Sequence, residues 1–356
     1  MTMTIAEINL IERLTQQFRR SPLQLNRLQE ADAEIIRLDP RGSVCLAVTT
    51  DSLVEEIASG LYEDPYLVGW MTVMANMSDL AAVGAIPLGI LISEVLPDGV
   101  PQDWLAELQR GIEKACEACG SFVLGGDTNT GGQLMLTGCA LGTTSRERLL
   151  SRTGAHAGDR LYVTGFLGVG NAFALEHFMN HHNGPGETVS YQPFARLREG
   201  QSIAGIASAC MDTSDGALTT LDQLMRINHV GFEIDSDVES ILHPQARLAA
   251  EGADLPPWLL LAGQHGEFEL MFTVSPENEM KLLETADRSN WQPFRLGRVI
   301  RCEEIRLPLY GRETVLDTGK IRNLAAECGT EIQRYIHELC LIDTTCKKGA
   351  LEYVYS

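Results

Sequence analysis

No run of this chain approaches the roughly 18 apolar residues that a membrane span needs. The opening stretch, MTMTIAEINLIERL, carries acids and no basic segment ahead of an apolar run, so no signal peptide is expected. Positive charge is scarce: 28 Lys and Arg face 48 Asp and Glu, a formal charge of −20. A surface this acidic repels phosphate backbones and argues against nucleic-acid binding, although divalent cations can still bridge an acidic site to a nucleotide. The nine cysteines are an odd number scattered along the chain. They suggest reduced thiols in the cytoplasm, not a disulfide framework. Cys116 and Cys119 form a C-x-x-C with no second copy, so both are expected to be ordinary helix residues. A G-x-S-x-G is missing, which removes one serine-hydrolase signature. A P-loop is missing too, because Gly319-Lys320 runs into Ile321. GFLGVG (165–170) has its glycines in the wrong order for a dinucleotide fingerprint, and the adjacent His181 and His182 have no cysteine near them to suggest zinc.

What is present is an ordinary globular composition, 44% hydrophobic and 21% charged over 356 residues. At about 100–200 residues per domain this length predicts two domains. A polar stretch at 143–156 marks the boundary, giving domains over 1–150 and 151–320 and an appended helical tail over 321–356. Apolar residues at helical spacing predict a helix over 5–19, and SVCLAVTT (43–50) predicts a strand. The largely apolar run 66–83 predicts a helix buried on several sides, with Met71, Met74 and Met77 in its core. A strand over 87–95 and an amphipathic helix over 101–119 follow. SFVL, GGDTNTGG and LMLTGCALG together suggest a hairpin with a glycine-rich turn. In the second half, 160–165, 231–235 and 268–274 read as strands, 200–210 as a helix and 181–190 as a surface loop. Asp212, Thr213 and Ser214 look like caps of the next helix. The fold class is α/β in both domains.

Aspartates recur at the ends of these elements. Asp51 closes a strand in TTDS, Asp79 ends the apolar helix in NMSD, and Asp127 lies in GGDT. Asp212 and Asp215 flank DTSD, and Asp32 sits in EADAE. Hydroxyls accompany several of them: Thr49, Thr50 and Ser52, then Ser78, then Thr213 and Ser214. Carboxylates with neighbouring hydroxyls are hard oxygen donors suited to Mg²⁺. Asp79 is the most informative, since a charge beside an apolar stretch is costly to bury without a partner or cation. Caps, turns and solvated faces explain each aspartate singly, and spacing does not show whether they meet. The glycines of GGDTNTGG suit either a phosphate cradle or a plain turn. Arg152 suits either a phosphate or the surface.

Taken in order, TTDSLVEE, NMSDLAAVGAIP, GGDTNTG, SRTGAHAGDRLYVTG, DTSDGAL and GEFELMFTV resemble thiamine-monophosphate kinase over residues 5–320. They are similar more broadly to its superfamily, which includes aminoimidazole-ribonucleotide synthetase, selenophosphate synthetase and the hydrogenase-maturation dehydratase. The resemblance implies a two-domain PurM-like fold, with an N-terminal mixed-sheet domain building a homodimer barrel and a C-terminal α/β domain. It implies ATP and several Mg²⁺ in a cleft. Asp32, Thr49, Thr50, Asp51, Asp79, Asp127, Asp212 and Asp215 would hold metal. Gly125, Gly126, Asp127, Arg152 and Ser214 would lie at the ATP phosphates, and Asp51 and Asp215 would be the principal catalytic groups. The expected chemistry is direct phosphoryl transfer to a small molecule, with acceptor contacts near Ala58, Glu267 and Glu269 and help from 181–190.

The chain departs from the family in four places. Glu30-Ala31-Asp32 replaces G-D-D, Gln109 replaces an aromatic, and Ala58 replaces a histidine. Gln264 to Glu269 replaces G-G-E-D-Y-E, so an acceptor other than thiamine monophosphate is expected. Two further readings stand beside this one. The first is an ATP-dependent cyclase or dehydratase; the dehydratase would need a terminal cysteine, and Cys346 lies ten residues from the end. The second, prompted by Ala31, is a non-catalytic nucleotide-binding protein.

Overall fold

The computed structural model describes residues 4–16, 18–39, 41–183, 189–328 and 332–342. The first half builds a five-stranded mixed sheet from β1 (Glu34–Arg37), β2 (Val44–Ser52), β3 (Ile86–Pro97), β4 (Val123–Gly131) and β5 (Met135–Ser145). Its order is β1-β2-β5-β3-β4. The second half builds a seven-stranded sheet from β6 (Arg160–Val163), β7 (Ala209–Asp212), β8 (Gly231–Ile234), β9 (Leu270–Val274), β10 (Phe294–Ile300), β11 (Ile305–Leu309) and β12 (Arg312–Leu316). Its order is β12-β11-β8-β10-β6-β9-β7. The helices are α1 (Ala6–Thr15), α2 (Val54–Ala58), α3 (Pro65–Ala82), α4 (Gln102–Ala118), α5 (Val169–Asn183) and α6 (Leu197–Ile203). They continue with α7 (Ala217–Asn228), α8 (Val238–Ile241), α9 (Pro244–Gly252), α10 (Glu279–Arg288), α11 (Thr318–Cys328) and α12 (Ile332–Ile342). Among the described residues no helix is long and apolar enough to cross a membrane.

α3 organises the molecule. Its residues from Val68 to Ser78 are all buried, Met71, Met74 and Met77 completely. Asp64 caps its start by accepting from the Tyr66 amide at 3.0 Å, and Pro65 occupies the first turn. α3 packs on β2 and β5 of the first sheet, on α4 and α6, and on β7 of the second sheet. Any polar side chain at its C-terminal end therefore lies between the two sheets. Cys116 and Cys119 lie in and just after α4, both buried, and burial pushes their thiols up to about 11 and about 12.

Several local expectations are corrected. Residues 123–131 form no hairpin turn; they are β4, parallel to β3, with Ile92 opposite Gly126 and Ser93 opposite Asp127. The reason is tertiary: a Cβ on Gly126 would sit 1.9 Å from the Ile92 carbonyl oxygen, so the glycine serves a close approach of two backbones. Residues 200–210 divide into the end of α6 and the start of β7, because Ala209–Asp212 pairs antiparallel with β9. The residue preceding α7 is Gly216, at φ 86°, and none of Asp212, Thr213 and Ser214 caps that helix. Residues 181–183 continue α5, and 184–188 of the expected loop lie outside the described residues. The tail supplies α11 and α12, while 343–356, with Cys346, lies outside the described residues.

Candidate active site

Three of the sequence-predicted acids meet. Asp32 precedes β1, Asp79 lies in the last turn of α3 and Asp212 ends β7, and each brings an oxygen within 4.8 Å of the others. Distant stretches of chain from both sheets thus converge at the α3 terminus. Asp212 is 1% exposed and accepts from Ser78 Oγ at 2.6 Å and from Ser214 Oγ at 2.9 Å. Thr49 Oγ1, on β2, donates to Asp79. Asp32 pairs with Arg152 at 2.8 Å, yet its Oδ2 is buried and has no hydrogen-bond partner. A buried carboxylate oxygen left bare beside two more carboxylates is costly unless a cation completes the set.

The electrostatics follow from that crowding. Burial, followed by the charges of Asp51, Asp212 and Asp32, raises Asp79 well above the usual carboxylate range against the opposing Thr49 bond. Burial and the Asp32 charge push Asp212 up to about 7. For Arg152 burial alone would favour loss of its proton, but Asp32, Asp212 and Asp79 outweigh it and hold the guanidinium charged. Asp51 stands at the exposed C-terminal end of β2, with its amide bonded to Asn76 Oδ1 at 3.1 Å. Protein crowded around it removes water and raises its pKa; Asp32 adds to this, while a hydrogen bond with Asp79 and the charge of Arg152 oppose it. Asp215 lies on the exposed turn before α7. Loss of surrounding water and the charge of Glu7 raise it to about 6, with Arg322 and Arg152 opposing. The charge of Asp51 adds the smallest share to the rise of Asp215.

The other predicted residues are placed differently. Thr50 Oγ1 donates to the Gly138 carbonyl at 2.8 Å. Gly125, Gly126 and Asp127 lie along the exposed edge strand β4, where Asp127 accepts from Asn129 Nδ2 at 2.6 Å and is not one of the three clustered acids. Ala58 is exposed at the end of α2. Glu267 and Glu269 are buried and already bonded within the protein. Glu267 accepts from the Gly168 amide at 2.7 Å, and Glu269 from Thr164 Oγ1 at 2.5 Å and Arg196 Nε at 2.7 Å. Burial pushes Glu267 up to about 8. Two supporting residues escaped the sequence reading. Asn76, fully buried, orients the Asp51 backbone, and Arg196 neutralises Glu269. Asn76 had a legible signal: a lone amide within an apolar helix, one turn before Asp79.

Comparison with known proteins gives the family and the fold. Residues 30–144 match the family model described as AIR synthase related protein, N-terminal domain, and residues 156–309 match its C-terminal counterpart. The thiamine-monophosphate kinase of Buchnera aphidicola subsp. Acyrthosiphon pisum is 31% identical over 70% of this chain and 77% of its own length. That of Salmonella typhimurium is 30% identical over 82% of this chain and 89% of its own. For the fold, the solved structure of AaThiL complexed with AMPPCP and TMP superposes with a TM-score of 0.70. It covers 86% of this chain and 93% of that one at 24% identity.

Proposed function

The chain belongs to the thiamine-monophosphate kinase family of AIR synthase related proteins, a family of ATP-dependent phosphotransferases, and from that premise we propose that it transfers the γ-phosphate of ATP, with magnesium, to a small molecule other than thiamine monophosphate. The observation that carries this reading is the meeting of Asp32, Asp79 and Asp212 around the bare Oδ2 of Asp32. One guanidinium does not balance three carboxylates, and hard oxygen donors suit Mg²⁺. Asp32, Asp79 and Asp212 would hold one ion, with Thr49, Thr50, Asp51 and Asp215 as further donors, and Asp127 on β4 would serve another. Gly125, Gly126, Asp127, Arg152 and Ser214 meet the phosphates. Bound magnesium supplies counter-charge for the β- and γ-phosphates. The protein's own share is alignment: Arg152 fixes Asp32 and adds positive charge, and Asp51 and Asp215 orient the phosphate and the acceptor oxygen for direct in-line transfer.

The departures support a different acceptor. Ala58 offers no side-chain hydrogen bond, and both Glu267 and Glu269 spend their oxygens on internal partners. A cavity of about 410 Å³, lined by Tyr66, Phe173, His177 and Tyr191 with Glu63 and Asp64, opens just after α2 and is a suitable size for a small acceptor. We assign the chain to domains over 1–150 and 151–320 with a tail over 321–356, and to the cytoplasm, where its free thiols stay reduced. We also assign a homodimer through the first sheet: β4 is an exposed edge strand, and Phe122 and Leu124 beside and within it are 71% and 54% exposed. Such an edge is normally covered.

The test is transfer of labelled γ-phosphate across a panel of small-molecule acceptors that includes thiamine monophosphate, with and without Mg²⁺. A phosphorylated product from another acceptor, lost on Mg²⁺ removal, is expected. Asp51→Asn should lower turnover by about two orders of magnitude or more, the loss typical of one strong electrostatic group. Unchanged turnover and Mg²⁺ dependence in that variant would refute the site assignment. Preferred transfer to thiamine monophosphate would refute the acceptor reading.

A further inference from the structure

Asp32 reaches the acid cluster on a segment with an unfavourable backbone. Gln29 has φ 65°, in the left-handed region that residues other than glycine enter rarely and at a cost. Two sets of bonds hold that turn. On one side the Arg152 amide and Ser151 Oγ donate to the Glu30 carbonyl at 2.8 and 2.7 Å. On the other, Gln223 of α7 donates Nε2 to Gln29 Oε1 at 2.9 Å. Gln223 is buried, and its own Oε1 accepts from Arg322 Nη1 at 2.6 Å. An arginine only donates, so this contact fixes which end of the Gln223 amide faces Gln29.

Arg322 is held in turn. Its side chain is 8% exposed on α11, beyond the 156–309 match. Nη1 lies 3.4 Å from the fully buried Asp222, and Nη2 is 3.1 Å from Glu7 of α1. Asp222 also accepts from Thr318 Oγ1 at 2.8 Å and Arg226 Nε at 2.6 Å, which binds α11 to α7. A continuous relay therefore runs from α11 through Gln223 and Gln29 to the segment carrying Asp32.

We propose that Arg322 is a positioning residue for the Asp32 arm of the cleft, acting through Gln223 and Gln29. The proposal rests on the functional reading above. Without Arg322 the Gln223 amide is free to turn, Gln29 loses its bond, and the left-handed turn relaxes with Asp32 drawn away from Asp79 and Asp212. A purely structural Arg322 would fasten α11 and leave the magnesium response alone.

The experiment uses the full chain and measures the Mg²⁺ concentration for half-maximal ATP binding, beside a melting curve. Arg322→Ala and Gln29→Ala are each expected to raise it about tenfold, the usual cost of losing a group that orients a metal ligand. The double variant should be no worse than either single one, because both act through one relay. Arg322→Lys keeps a charge beside Asp222 but not the fork that reaches Gln223. It should melt nearer the wild type yet show the weakened magnesium response, and it serves if Arg322→Ala does not fold. Unchanged half-saturation in a folded variant, or additive effects in the double one, would overturn the proposal while leaving the functional reading intact. Wild-type protein that binds no ATP in the presence of Mg²⁺ would overturn both.

Discussion

Replacing Asp212 with asparagine separates the energetic cost of the acid cluster from its use. In the folded chain this carboxyl ionises near 7, and in the unfolded chain at its ordinary 3.8. Below 3.8 both states hold the proton and the group is neutral towards stability. Between 3.8 and 7 the unfolded chain loses the proton first, so stability falls as pH rises, and above 7 the loss is complete. The gap corresponds to a penalty on the order of 4 kcal/mol at pH 8. Asparagine carries no charge and escapes that penalty, which is already net of the bonds that Ser78 and Ser214 donate to the carboxylate. Metal-free Asp212→Asn should therefore be more stable than wild type by about 4 kcal/mol at pH 8 and by less than about 1 kcal/mol at pH 4. Magnesium–ATP should close most of that gap: at a hundred times Kd it adds about 2.7 kcal/mol to wild type and little to the variant. Calorimetric melting at both pH values, with and without magnesium–ATP, reads all four quantities. A variant less stable than wild type at pH 8 without ligand, or stabilised by magnesium–ATP as much as wild type, would refute the reasoning.

Three further outcomes are expected. Gly126→Ala forces a Cβ against the Ile92 carbonyl and must push β4 off β3, so a lower melting temperature and weakened ATP binding are expected in thermal and calorimetric titrations. Arg196→Met strands the buried Glu269 without its counter-charge. It should cost about 3–5 kcal/mol in urea denaturation at pH 8, with a smaller loss as the carboxyl gains its proton at low pH. Leu124→Glu puts charge on the exposed edge strand and should shift the protein from dimer to monomer by light scattering without altering its far-ultraviolet circular dichroism.

Elements with strong local signals are legible in the sequence, and elements fixed by distant partners are not. α3 is legible because a largely apolar run of eighteen residues admits few alternatives, and its burial follows from the lack of a continuous polar face. β2 was legible from its β-branched run. β4 is not legible because glycine, aspartate and asparagine are turn formers by local preference, and parallel pairing with β3 overrides that preference. The helix expected over 200–210 lost its second half for a related reason. Ala209–Asp212 is apolar enough for either state, and β9, some sixty residues away, supplied the hydrogen bonds.

The aspartates mark the boundary between the two kinds of information. Composition, charge and motif order determined by themselves that this chain carries hard oxygen donors at element ends, lacks the common alternative chemistries and resembles one kinase family. Only the tertiary structure decided that Asp32, Asp79 and Asp212 meet while Asp127 lies apart on an edge strand, and that Glu267 and Glu269 are already bonded within the protein. The physical reason is that a residue's chemistry is local, whereas its pKa and its partners depend on which distant segments the packing of α3 between two sheets brings beside it.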